Sequence, residues 1–145
     1  MNNLSDFYQL VKDFCNDHNM INEFLFLGSE QELENREFNY RTFVMIPSNS
    51  NISIDLSRPI YTLSFDCALL DKSIGDSEIA LVKSTEENLF VVGQLQDYLI
   101  QQDETCYIDD VDVVNMISDD ENITSAMFEL TMSFARKNYN VGIDN

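Results

Sequence analysis

Apolar and polar residues alternate along two long stretches of the chain. From Ile123 to Arg136, Thr124, Ala126, Phe128, Leu130, Met132 and Phe134 share one parity, and Ser125, Glu129, Thr131 and Ser133 share the other. From Pro59 to Asp71, Tyr61, Leu63, Phe65, Cys67 and Leu69 alternate with Thr62, Ser64 and Asp66. A period of two held this long marks strands with one face in a core and the other toward water. Such strands form an antiparallel sheet covered on one side.

Two stretches carry a helical period instead. Phe7, Leu10, Val11, Phe14 and Cys15 predict a helix from about Asp6 to Asn16, with Ser5 as its N-cap. Ser84-Thr85-Glu86-Glu87 has capping-box spacing and predicts the start of a second helix. Leu89, Val92, Leu95 and Leu99 form its apolar face, flanked by Val91 and Tyr98. Gly93 costs about 1 kcal/mol relative to Ala within a helix, which points to close packing on the sheet.

Shorter apolar runs predict strands at Met20–Leu27, stopped by Gly28, and at Tyr40–Ile46, ended by Pro47. Ile52, Ile54 and Leu56 add a short strand, and Tyr107–Ile117 a further one. Ser29–Asn39 is mostly polar and predicts an exposed loop, Ser48–Asn51 a turn, Asp71–Asp76 a loop, and Ser118–Asn122 a turn into the last strand. Ser77–Lys83 fits no single pattern. The expected fold is α+β, a mostly antiparallel sheet with two helices packed on one face. One domain is expected over residues 1–138, and a flexible C-terminal tail over 139–145.

A chain of 145 residues suits one domain that buries its own core without disulfides. No apolar run is long enough to cross a membrane as a helix, so no membrane partner is expected. Met1–Asp6 lacks the basic start and apolar stretch of a signal peptide, and synthesis in the cytoplasm is expected. The formal net charge is -18, with only 8 Lys and Arg, none of them between Lys83 and Arg136. Tight duplex binding rests on cations that displace counterions from phosphate, and this chain has no cluster of them. The acidity fits solubility, a surface past which DNA slides without being held, or calcium binding. Cys15, Cys67 and Cys106 form neither a CxxC pair nor a disulfide framework; Cys15 and Cys67 fall on apolar faces as small buried hydrophobes.

Catalytic constellations are sparse. His18, the single histidine, lies just past the first helix, where it can face the negative end of the dipole. One histidine without a cysteine pair does not make a zinc site. No serine lies in a GxSxG elbow, and four glycines build no phosphate-cradling loop. Asp109, Asp110 and Asp112 with Asp119, Asp120 and Glu121 can bracket a hairpin, but their spacing is not that of an EF-hand, and a solvated acidic hairpin is expected. Asp66, Asp71 and Lys72 suggest a metal-nuclease set, against which the acidic surface argues. The expectation is no enzyme, with no catalytic, cofactor-binding or metal residues and no cofactor.

The run Ile21–Gly28, a polar gap, Tyr40–Pro47, Tyr61–Asp71 and the amphipathic helix from Glu87 onward together resemble a group of small virion proteins of tailed phages. The likeness is to those of Bacteroidetes and crAss-like phages, and the element order is similar to that of tail terminator and tail completion proteins. It covers about residues 4 to 136. The resemblance implies a non-enzymatic subunit of a homo-oligomeric ring, sixfold or twelvefold, at the head–tail junction or in the tail. Its partners would be portal, connector or tail proteins, its place the virion, assembled in the host cytoplasm. DNA would pass through the ring without tight binding. Two other functions stay open: an acidic cytoplasmic module that mimics DNA charge and inhibits a host protein, and a calcium-dependent module.

Overall fold

A computed structural model describes residues 4–28, 30–33, 36–55, 60–73, 77–102, 105–117 and 122–135. Helix α1 (Leu4–Asp17) is followed by strand β1 (Glu23–Phe26), a 3-10 turn (Glu30–Leu33), strands β2 (Thr42–Asp55) and β3 (Ile60–Ser73), helix α2 (Glu78–Gln102), and strands β4 (Tyr107–Ile117) and β5 (Asn122–Ala135). The strands form one sheet in the order β1-β2-β3-β5-β4. All neighbours are antiparallel except β1 and β2, so the class is α+β with a mostly antiparallel sheet.

The two alternating stretches of the sequence are neighbours at the centre of that sheet. Every residue of β3 from Ile60 to Ser73 has a partner in β5 from Ala135 to Asn122. Leu63 meets Met132, Phe65 meets Leu130, Cys67 meets Phe128 and Leu69 meets Ala126 on one face. Register is well specified here, because a one-residue slip would turn both apolar rows to water. Phe43 and Met45 of β2 extend the same face, and α1 covers it with Phe7, Val11 and Cys15. Val91, Val92, Leu95 and Leu99 of α2 complete the core. On the opposite face Thr62 bonds Ser133 and Ser64 bonds Thr131, each at 3.0 Å between hydroxyls. Beside this row, Phe38 and Tyr40 of the β1–β2 connection pack on Leu27, Val44, Ile46 and Leu70, a second and smaller cluster.

Several local expectations are corrected. β2 is one strand through Pro47, with its register shift between Pro47 and Ile52, where a turn and a separate short strand were expected. Proline donates no ladder hydrogen bond, and an irregularity there accommodates it. α2 begins at Glu78, two turns before the expected box. Ser77 caps it, its hydroxyl accepting from Ala80 N at 3.2 Å, and Ser84 lies buried within the helix. Leu89 is 42% exposed, and the buried stripe runs Ser84, Asn88, Val91, Val92, Leu95, Leu99. Gly93 faces outward with nothing within 4 Å of an added Cβ, so it serves no close packing. Ser5 lies inside α1, and the expected 29–39 loop contains the 3-10 turn and the half-buried Phe38. Asp71 and Lys72 belong to β3, not to a loop after it. Of the expected turn Ser118–Asn122, Asn122 is the first residue of β5, and Ser118–Glu121, like the tail 139–145, lie outside the described residues.

Candidate functional site

Thr124 stands on the apolar parity of β5, and Ser84 and Asn88 one helical turn apart on the buried stripe of α2. Polar groups buried there need partners, and they find one another. Asn88 Nδ2 donates to Thr124 Oγ1 at 3.2 Å, and Ser84 Oγ donates to Asp71 Oδ2 at 2.7 Å. With its proton on Asp71, Ser84 accepts the hydroxyl of Thr124, to which it is also hydrogen-bonded. Arg41 closes the network, with Nε to Asn88 Oδ1 at 2.8 Å and Nη2 to Asp71 Oδ2 at 2.9 Å and Glu87 Oε2 at 2.8 Å. The node thus ties the residue preceding β2 to β3, β5 and α2. It forms the wall of a cleft of about 400 Å³ whose lining includes Asn22, Tyr40, Lys72 and Lys83. The guanidinium is engaged by two carboxylates and an amide, so this is a latch of the fold and not a free anion receptor.

A second feature runs across the opposite face. Asp66 of β3, Glu129 of β5 and Asp109 of β4 are register partners in one row across three strands. Like charges set directly opposite are destabilising, so the row has a cost in folding. A bulge between Asp109 and Asp112 follows, where Asp110 takes a φ of 43°, a left-handed conformation that Asp tolerates better than most. Asp109, Asp110 and Asp112 are exposed, as expected of a solvated acidic surface, whereas Asp119, Asp120 and Glu121 lie outside the described residues. Among the described residues no group of three or more His, Cys, Asp or Glu is placed to hold a metal ion.

A third feature is apolar. Ile79, Val82, Leu89 and Phe90 of α2 are exposed, and so are Val111, Val113 and Val114 of the edge strand β4. Leu81, Val82, Thr85, Glu86 and Leu89 share a shallow groove with Asn115.

The residues weighed for chemistry are scattered by the fold. Asp66 points to the outer face and Asp71 into the node behind the sheet, so the proposed nuclease set does not converge. His18 accepts Met20 N at 3.1 Å through Nδ1 and pairs through Nε2 with Gln94 Oε1 at 2.5 Å. Lying just past the end of α1, it joins that end to α2 through hydrogen bonds. Cys15, Cys67 and Cys106 are buried, and none of the three is in a disulfide. Burial pushes the Cys15 and Cys67 thiols well up, and Cys15 and Asp66 add to the effect at Cys67. Both therefore stay protonated and unreactive. The polar node escaped the sequence reading because Ser84 and Glu87 matched a capping box. A signal was present: Thr124 is a polar residue on an apolar parity.

In comparison with known proteins, the chain matches no family model and no curated protein. Among the described residues, no helix is long and apolar enough to cross a membrane.

Proposed function

We propose that the protein is a structural subunit that assembles into a ring at the head–tail junction or in the tail of a tailed phage, in the manner of a connector or tail terminator. The observation that carries this reading is the open sheet with two unlike edges. One edge is the four-residue β1 beside α1, and the other is the longer β4 with its exposed valines. A cyclic ring requires a heterologous contact, in which one patch meets a different patch on the neighbour. Unpaired strand edges supply such contacts by continuing a sheet between subunits. The phage setting rests on the resemblance of the sequence to small virion proteins.

The outer face of the sheet fits the role of a DNA passage. It presents hydroxyls at the half-buried Thr62, Ser64 and Ser133, and carboxylates at Asp66 and Glu129. A duplex repelled by its wall slides, whereas a basic wall would grip phosphate. The same acidic row favours a second reading, a module that presents DNA-like charge to a basic host protein. Native mass spectrometry and negative-stain microscopy of the purified protein separate the two. Closed rings of one stoichiometry support the first reading. A strict monomer that captures a basic protein supports the second and overturns the first.

A further inference from the structure

β4 ends the sheet, and among the described residues no strand pairs with its outer edge. The edge is not blunted along its whole length. The bulge is confined to Asp109–Asp112, and Val113–Ile117 continue in regular register with β5. Val113 and Asn115 oppose Ala126 and Thr124, residues of the helix-facing side; Asn115 lines the groove along Val82 and Leu89 of α2, and the exposed Val113 lies two residues before it on the same parity. A segment suited to this place has three properties. It is extended, to use the open backbone groups; it is apolar on one parity, to cover Val113 and Leu89; and it is basic at one end, to meet Asp109, Asp110 and Asp112.

Residues 136–143 have that pattern. Arg136-Lys137 is followed by Tyr139, Val141 and Ile143 on one parity, with Asn138, Asn140 and Gly142 on the other. We propose that this segment of one copy adds as a further strand to the outer edge of β4 in the next copy. It runs in the same direction as β4, with the basic pair against Asp109–Asp112 and the apolar parity against Val113 and the α2 groove. The inference rests on the ring reading and supplies its contact. Backbone hydrogen bonds give such an added strand affinity, and its alternate side chains give specificity. Two β4 edges pairing with each other would instead set aspartates against aspartates.

Geometry selects the neighbour over the same copy. Val113 lies opposite Ala126, nine residues before the end of β5 at Ala135. At about 3.3 Å per residue that is roughly 30 Å back along the sheet. Residues 136–141 extend to about 20 Å at most, before any reversal of direction. Val141 therefore cannot reach Val113 of its own copy.

The test mixes equal amounts of Val113→Cys and Val141→Cys proteins, carrying different mass tags, under oxidising conditions. The native cysteines are buried and do not compete. The expected product is a disulfide-linked dimer with one tag of each kind, in a yield at least tenfold above either variant mixed with wild type. In the Arg136→Glu/Lys137→Glu background that yield falls at least tenfold at low salt. A protein that remains oligomeric but gives no mixed dimer overturns this inference and leaves the ring reading standing. A wild-type protein that is monomeric at every concentration overturns both.

Discussion

Arg41 shows how one side chain settles the relation between three segments. Its guanidinium is 6% exposed and bonds three acceptors that come from β3 and α2. Truncating it leaves Asp71 and Glu87 facing each other without a cation and Asn88 without a donor. Removing one partner from a buried pair is strongly destabilising, and the partial exposure of Glu87 moderates the effect here. Arg41→Ala should cost about 2–3 kcal/mol, read as a lower urea midpoint at unchanged slope. Arg41→Lys should recover little, because an ammonium cannot present the two directions that Nε and Nη2 serve. Little of this was legible from the chain. The partners Arg41, Asp71, Ser84, Asn88 and Thr124 are spread over more than half of it, and no local pattern joins them.

At the scale of the element, α2 is the instructive case. Its apolar residues admit more than one helical stripe, since Leu89 and Val92 are three apart just as Asn88 and Val91 are. Counting only apolar positions selects Leu89. The sheet instead takes the stripe through Ser84 and Asn88, because Thr124 and Arg41 satisfy those polar groups there. The same rotation turns Gly93 to solvent. Gly93→Ala meets no atom and removes the entropic penalty of glycine in a helix. It should stabilise the protein by about 1 kcal/mol, a gain measurable as a higher urea midpoint. A loss of stability would show that this face of α2 packs against something. By contrast α1, β3, β4 and β5 were legible almost residue for residue. α1, β3 and β5 each have a sharp period and one covered face, so pattern and environment agree there, whereas β4 alternates only in part and is exposed from Asp109 to Asn115.

For the whole molecule, the distribution of charge is the dominant property. The chain carries -18, and the sheet concentrates part of that charge where Asp66, Glu129 and Asp109 align across three strands. Neutralising two members, as Asp66→Asn with Glu129→Gln, should raise stability by about 0.5–1 kcal/mol at low ionic strength. The gain should shrink at about 0.5 M salt, where exposed charges are screened. Unfolding midpoints at the two ionic strengths check this; a loss of stability on neutralisation would mean that the carboxylates hold a cation. What the sequence alone determined is the composition of the faces: which strands are half-buried, which cysteines are inert, that the surface is acidic, and that the class is α+β. These follow from periodicity and charge, which are local or additive. Tertiary structure alone decided that β1 lies parallel to β2, that β3 and β5 pair along their full length, that the buried stripe of α2 is partly polar, and that β4 is left at an open edge. Strand order and helix rotation depend on which distant surfaces meet, and they are fixed only when the burial of all elements is satisfied together.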